Sequence, residues 1–193
     1  MPPETTSPDW DRLYETAAAQ EGHFTTGQAA EAGYSAQLLA HYLNTGKMER
    51  IRRGVYRLVH FPAGDHEELA VLWLWSERVG VFSHQTALSL HELSDVLPSA
   101  VHMTLPVDWR KRRLRVPAGL RLNYSDLQTK ERWWFGAVPA TSPVRTLEDC
   151  AAADLAPDLL AQAARAAVRR GLASRDELKG VVSALKPFGG LDP

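Results

Sequence analysis

Residues 25–58 read TTGQAAEAGYSAQLLAHYLNTGKMERIRRGVYRL, and this stretch decides the fold of the N-terminal part of the chain. Thr25 and Gln28 have the spacing of a capping box, in which two side chains satisfy free backbone amides at the start of a helix. The helix that they begin is predicted over residues 26–32. It ends at Gly33, because glycine readily takes the left-handed conformation that follows a helix.

A second helix begins shortly afterwards and has two distinct faces. Ser35 is suited to cap it, and the predicted helix covers residues 36–44, before Gly46. Its apolar residues lie on one side: Leu38, Leu39, Tyr42 and Leu43. The remaining residues recur at spacings of three and four on the opposite side: Gln37, Ala40, His41 and Asn44. Two short helices joined by a turn that contains glycine are typical of a helix-turn-helix.

This second helix has the properties that a DNA-recognition helix needs. One face can pack against the protein, and the other offers uncharged polar groups to base edges in the major groove. Glutamine and asparagine side chains suit the N6/N7 edge of adenine. We therefore predict that Gln37, His41 and Asn44 read bases, and that Ser35 fixes the start of the helix.

A basic hairpin follows directly. Residues 47–58 predict two strands with Gly54 at or near the turn, and a preceding helix over residues 9–19 completes the unit. The residues predicted to face the core are Met48, Ile51, Val55 and Leu58. The predicted phosphate or minor-groove contacts are Lys47, Arg50, Arg52, Arg53 and Arg57. A hairpin in this position is the wing of a winged helix-turn-helix.

Composition is that of an ordinary globular protein. Of the 193 residues, 45% are hydrophobic and 23% are charged, which excludes wholesale disorder. The net charge is −1, yet basic residues concentrate in the hairpin and in a second run near residue 112, so strong local positive fields remain. With one cysteine (Cys150), no secretory signal and no apolar stretch long enough to cross a membrane, we expect a cytoplasmic protein.

The remaining two thirds of the chain predict a mixed α+β domain with a helical C-terminal third. Strands are expected over residues 101–105, 120–124 and 133–138. Ser142 and Pro143 are suited to the cap and first position of a helix expected over residues 143–153. A further helix is expected over residues 158–170, and a last one is opened by a capping box at Ser174–Glu177. The predicted fold class is therefore α+β, with a winged helix-turn-helix at residues 1–61 and an α+β domain at residues 62–193.

A second basic run lies between Pro106 and Pro117, which favours a loop or a short hairpin there. Its cations are Arg110, Lys111, Arg112, Arg113 and Arg115. Three interpretations stay open for this run. It extends a DNA footprint, it docks an acidic surface on a partner protein, or it is a solvated loop.

The sequence contains no convincing catalytic or metal-binding constellation. His84 and His91 are two helical turns apart, too far to bind one metal ion by themselves, and His84 is expected at a cap or on the surface. Glu177 and Lys179 match half of a nuclease metal site, but Glu177 already has a role in a capping box. We predict no enzyme activity, no metal and no cofactor.

The stretches Gly22–Gly33, Leu38–Gly46 and Met48–Leu58 resemble the N-terminal domain of AbiEi-type antitoxins, the regulators of toxin–antitoxin and phage-defence operons. Arg53-Gly-Val-Tyr56 is the most specific part of this resemblance. A looser similarity continues through residues 82–93 and 141–149. The resemblance therefore covers most of the chain.

The resemblance implies a winged helix that represses its own operon, usually at inverted repeats in double-stranded operator DNA. It also implies a C-terminal domain involved in neutralising a cognate nucleotidyltransferase-like toxin, by direct contact or indirectly. Two alternatives stay open. One is a winged-helix protein with a nuclease-like C-terminal domain, and the other is a module that sequesters a partner protein without binding DNA.

Overall fold

The predicted N-terminal winged helix-turn-helix is present in the computed structural model of the protein, which describes residues 7–191. Its elements follow in order: α1 (Trp10–Ala18), β1 (His23–Thr25), α2 (Thr26–Glu31), α3 (Ala36–Asn44), β2 (Met48–Arg52), β3 (Val55–Leu58) and α4 (Glu67–Trp75). Each helix predicted before residue 46 lies within two residues of its expected position at either end. The α+β fold class is confirmed.

The three strands form one small antiparallel sheet in the order β1-β3-β2. Strand β1 was not predicted, because three residues are too few to give a period-two pattern. It pairs His23 with Arg57 and Phe24 with Tyr56. The rings of Phe24 and Tyr56 stack with their centroids 5.8 Å apart, which fixes the register of the sheet over the helices.

The apolar faces of α1, α2 and α3 meet the sheet in one core. Its fully or nearly buried residues include Leu13, Ala17, Phe24, Ala29, Leu39, Met48, Tyr56 and Leu58. Three of the apolar residues predicted on α3 are half-buried around this cluster, namely Leu38, Tyr42 and Leu43. Apolar burial thus sets which side of α3 remains in solvent.

The prediction that Ile51 faces the core is wrong. Its side chain is 42% exposed, because it lies three residues after the buried Met48 and so on the opposite face of the strand. The pairing of β2 with β3 also shifts beside it, between Arg50 and Arg52. A bulge of this kind leaves one residue without a cross-strand partner and interrupts the alternation of side chains. The other residues predicted to face the core, Met48, Val55 and Leu58, are buried.

Arg57 was predicted to hold phosphate, and the structure corrects this. Its side chain is only 13% exposed, and its Nη2 lies 2.8 Å from Oε1 of Glu67 on α4. Further guanidinium N–H groups donate to backbone carbonyls that include those of Leu58 and Phe61. The hydrogen bond from Arg57 lowers the pKa of Glu67, so the pair is charged at neutral pH. Arg57 is therefore a structural residue that ties β3 to α4.

Helix α4 belongs to the first of two compact units, although the sequence placed a boundary at residue 61. Unit 1 extends to Arg78 and includes Gly136–Val138. Within it, Val55 of β3 packs with Val71 and Leu74 of α4. A helix that buries apolar residues against the small sheet and pairs with Arg57 is part of that unit, so the boundary predicted at residue 61 lies inside unit 1.

Unit 2 comprises Val79–Phe135 and the residues from Pro139 onward. Its strands are β4 (Val81–Phe82), β5 (Val101–Leu105), β6 (Leu120–Tyr124), β7 (Arg132–Phe135) and β8 (Val138–Thr141), and its helices are α5 (His84–Leu90), α6 (Pro143–Ala152), α7 (Pro157–Arg169) and α8 (Lys179–Leu185). The mixed sheet has the order β6-β5-β4-β8-β7. The single strand predicted over residues 133–138 is two strands, divided at Gly136 with a φ of +54°.

The C-terminal helices form the core of unit 2. Ser142 caps α6 and Pro143 occupies its first turn, as the sequence indicated. The apolar face of α7 is largely alanine, so neighbouring helices approach it closely around Leu147 and Cys150. Burial raises the pKa of the Cys150 thiol to about 12, so this thiol is protonated and shielded.

Replacing Arg57 by alanine should destabilise the protein rather than weaken ligand binding alone. The change leaves the carboxylate of Glu67 without its charged donor, and we expect a loss of about 1–3 kcal/mol in the free energy of unfolding of unit 1. Urea unfolding followed by circular dichroism measures this loss. The exposed Arg52→Ala is the matched control and should change stability by less than about 0.5 kcal/mol. Equal stability of the two variants would contradict a structural role for Arg57.

Stability should also fall on mild acidification. Burial lowers the pKa of four histidines below 6.5: His23, His84, His91 and His102. The unfolded chain therefore binds more protons below that pH, so the folded state loses stability as pH falls through 6.5, by at most about 1.4 kcal/mol per pH unit for each histidine. The shifted carboxylates, Glu67, Glu131 and Glu177, have lowered pKa values, so the stability that they contribute is lost only as pH falls through 4.5 and below.

Thermal melting at about pH 7.5 and pH 5 tests this prediction, with the lower midpoint expected at the acidic pH. His91 accounts for part of the drop, since it is 4% exposed and its ring nitrogen lies 2.8 Å from the Thr141 carbonyl oxygen. His91→Gln keeps a donor for that carbonyl but cannot titrate, so its midpoint should depend less on pH. An unchanged midpoint for the wild type between the two pH values would refute the burial argument.

Candidate nucleic-acid interface

A buried amide pair positions α2. Gln28 accepts a hydrogen bond from the backbone N–H of Thr25 (2.9 Å) and donates its own N–H to the Thr25 hydroxyl (3.2 Å), which completes the predicted capping box. Its side chain also exchanges two hydrogen bonds with that of Gln20, of 2.8 and 3.2 Å. Both glutamines are nearly fully buried. This pair connects the residues after α1 to α2, and the sequence pattern identified only the capping half of it.

The turn between α2 and α3 sets the direction of α3. Gly33 has a φ of +82°, a conformation that a side chain would strain. The Tyr34 N–H donates to the carbonyl of Ala29, and Tyr34 is buried. Ser35 then caps α3 through its hydroxyl, which accepts from the N–H of Leu38 at 3.2 Å. The predicted role of Ser35 at the helix start agrees with this geometry.

The face of α3 opposite the core is exposed and uncharged. Its members are Gln37, Ala40, His41 and Asn44, as expected from the spacing. Leu39, on the inner face, is 4% exposed. The outer face therefore presents two side-chain amides and an imidazole. The orientation of the helix is fixed by its inner face, which packs against the core of unit 1. Such groups can donate to and accept from base edges.

Aromatic contacts join the end of α3 to the wing. The ring of Tyr42 lies 5.7 Å from that of Tyr34, and the ammonium of Lys47 lies 5.3 Å from the centre of the Tyr42 ring. The Lys47 N–H also donates to the Tyr42 carbonyl at 3.0 Å. The first cation of the wing is thus held beside the last turn of the helix. Tyr42 performs this role in addition to supporting the core, which the helical pattern alone does not reveal.

The wing consists of β2, β3 and a turn at Arg53 and Gly54. Gly54 has a φ of +78°, and its carbonyl accepts from the N–H of Thr26 at 3.1 Å, so the turn is held at the start of α2. Four cations of the wing are exposed: Lys47, Arg50, Arg52 and Arg53. Glu49 is the carboxylate between them, and it lies 3.8 Å from the structural Arg57. The exposed charge of the wing is therefore positive.

The second predicted basic run lies in unit 2. All five of its cations, Arg110, Lys111, Arg112, Arg113 and Arg115, are exposed. The first two belong to a 3₁₀ helix at Val107–Lys111, and the rest follow it without regular structure. The expectation of a loop between prolines is therefore close to the observed conformation.

The residues that suggested a nuclease lie on the surface. Glu177 accepts from the N–H and hydroxyl of Ser174, at 2.8 and 2.7 Å, while Lys179 pairs with Asp176 at 3.3 Å. The capping box is formed, but α8 begins only at Lys179. Within residues 7–191, no group of three histidine, cysteine or acidic side chains is arranged to hold a metal ion.

His84 is partly buried in unit 2, rather than on the surface. It has a φ of +53°, its ring stacks on that of His102 at 5.3 Å, and its Nδ1 lies 2.9 Å from the Ser83 hydroxyl. Ser83 precedes α5 but makes no side-chain capping bond to it. This polar group was not recognised from the sequence, because His84 begins helix α5 whereas His102 lies on strand β5. No helix among the described residues is long and apolar enough to cross a membrane.

Comparisons with known proteins agree with the two parts of this structure. A crystal structure of the RV2827C protein from Mycobacterium tuberculosis is similar over 94% of this chain and 77% of that chain, with 14% sequence identity and a TM-score of 0.55. That likeness establishes the fold. No curated protein matches the sequence closely enough to be informative.

A family model described as "Transcriptional regulator, AbiEi antitoxin" matches residues 11–59. The matched segment contains the helix-turn-helix and the whole wing, from within α1 to just after β3. The resemblance predicted from the sequence is therefore confirmed there: residues 11–59 match the AbiEi antitoxin family of transcriptional regulators.

Proposed function

We propose that this protein is an antitoxin and an autorepressor that binds its own double-stranded operator DNA. The observation that carries the proposal is the arrangement of α3, whose exposed polar face stands beside an exposed cationic wing. Gln37, His41 and Asn44 would read bases in the major groove. Lys47, Arg50, Arg52 and Arg53 would bind phosphates or enter the adjacent minor groove.

The family match supports the regulatory part of the proposal, because it covers the helix-turn-helix and wing together. The antitoxin part rests on the printed description of that family. In this proposal unit 2 neutralises a nucleotidyltransferase-like toxin encoded nearby, by contact or indirectly. Inverted repeats in the operator would place two copies of the chain on one duplex.

Substitutions on α3 and on the wing should have different effects on DNA binding. Gln37→Ala or Asn44→Ala removes a base contact, so preference at one base pair should weaken by about 1–3 kcal/mol while other positions keep theirs. Ala40→Ser, on the same exposed face, is the control and should leave the preference unchanged. Fluorescence anisotropy with single-site variants of the upstream duplex measures these effects. Unchanged preference in both amide variants would remove the assignment of α3.

The double variant Arg52→Ala, Arg53→Ala should weaken binding to every duplex alike. The slope of log affinity against log salt concentration should fall by about 0.9 for each lost phosphate contact, hence by about 1.8 in all. Binding to the upstream region and to a shuffled duplex, across a sodium chloride series, gives both quantities. If affinity and slope both stay at wild-type values, the wing does not contact phosphate. Equal weak binding of the wild type to both duplexes would remove the autorepressor proposal itself.

Co-expression tests the antitoxin part. If the product of the adjacent reading frame arrests growth when expressed alone, the full chain should restore growth when supplied from a second plasmid. The double wing variant separates the two activities, because it should still restore growth from a promoter that it does not regulate. Failure of the wild-type chain to restore growth would contradict neutralisation, while leaving DNA binding to be judged by anisotropy.

A further inference from the structure

The basic run of unit 2 is the connection between two parallel strands. β5 and β6 are adjacent and parallel, with Val101 opposite Leu120 and Leu105 opposite Tyr124. The chain must therefore return from the end of β5 to the start of β6, and residues 106–119 make this crossing. Such connections usually contain an α-helix. Here the crossing has a single 3₁₀ helix, Val107–Lys111, and then an irregular segment rich in arginine. We call residues 106–119 the basic crossover.

The basic crossover is tied near each end, and at its C-terminal end the Gly119 carbonyl accepts from the N–H of Val101 on β5 at 2.8 Å. The Val107 N–H donates to the carboxylate of Asp126 at 3.0 Å, just beyond the end of β6. The Arg112 N–H donates to the Trp109 carbonyl at 3.0 Å, and Pro117 is buried. The segment therefore has a defined path. Its cations keep fixed starting positions instead of moving with a free loop.

Two of its guanidinium groups lie on aromatic rings. The Cζ atom of Arg112 is 3.7 Å from the centre of the Trp109 ring, and that of Arg110 is 5.4 Å from the centre of the Tyr124 ring. Stacking uses the face of the planar cation and leaves its N–H donors around the edge. A guanidinium held in this way loses less conformational freedom when it binds an anion through those donors.

The basic crossover contains five cations and one carboxylate, that of Asp108. Four of these cations are exposed and form no ion pair with any of the described residues: Arg110, Lys111, Arg113 and Arg115. The nearby carboxylate of Asp126 accepts from the Val107 N–H. A concentration of like charges disfavours the compact state unless an anionic partner binds. This unfavourable repulsion between like charges is present in a segment that the topology requires only to connect β5 to β6.

We propose that the basic crossover is a second surface for double-stranded DNA, which binds the phosphate backbone without reading bases. The proposal rests on the proposed DNA-binding function, but it uses none of the residues of α3 or the wing. Arginine supplies four of the five cations, and its planar fork matches phosphate oxygens better than an ammonium does. An acidic protein surface is the competing partner and is distinguished by the experiment below.

The test uses the full chain with four substitutions: Arg110→Ala, Lys111→Ala, Arg113→Ala and Arg115→Ala. Arg112 and its stack on Trp109 are kept so that the path of the segment is preserved. A matched control removes four exposed cations elsewhere in unit 2: Lys130, Arg165, Arg169 and Lys186, each to alanine. Circular dichroism and thermal melting verify that both variants fold.

Anisotropy across a salt series should show that the crossover variant binds the upstream duplex and the shuffled duplex more weakly by the same factor. The salt slope should fall by about 0.9 for each lost contact, while the control keeps the wild-type slope. A slope and affinity equal to those of the control would overturn the proposal. Loss of binding to a poly-glutamate probe with unchanged DNA binding would also overturn it and would reassign the surface to an acidic protein.

These measurements distinguish failure of the second DNA surface from failure of the proposed autorepressor function. If the wing variant loses DNA affinity and the crossover variant does not, the autorepressor proposal stands and only the second surface is refuted. If wild-type protein binds neither duplex, both proposals fail together.

Discussion

The arrangement of the helices and strands in unit 1 depends on the side chain of Gln28. It caps α2, exchanges two hydrogen bonds with Gln20 and is almost completely removed from water. A buried amide is stabilising only when its donors and acceptors are satisfied, so this contact admits one arrangement of α1, β1 and α2. The turn at Gly33 then transmits that arrangement to α3. The exposed face of α3 thus owes its direction to a buried hydrogen-bond network at the start of α2.

Local chemistry explains which parts of the fold were predictable. The caps at Thr25, Ser35 and Ser142 depend on residues within three positions of each other, so they could be identified from the chain alone. Arg57 was assigned wrongly because its partner, Glu67, is ten residues away on a helix that packs against the sheet. Exposure cannot be inferred for a cation whose partner is brought to it by tertiary structure.

The same limit applies to the strands. Ile51 was assigned to the core for its apolar side chain, although it lies three residues after the buried Met48, a spacing that alternation places on the opposite face of the strand. Strand β1 is too short for any period. For the candidate site, the sequence identified the exposed face of α3 and four exposed wing cations, because amphipathic spacing and charge are local properties. It missed Gln20 and the cation–π contact of Lys47 with Tyr42, because both join residues through the fold.

The bulge at Ile51 has a consequence for the association of the protein with itself. β2 lies at an edge of the small sheet, where unpaired backbone groups invite another strand to add. The shifted register breaks the regular ladder there, and the flanking arginines bring like charges together whenever two such edges approach. The winged helix gains this protection from the same residues that give its wing a positive charge. Neutralising those arginines would therefore remove a safeguard against aggregation along with any contact to phosphate.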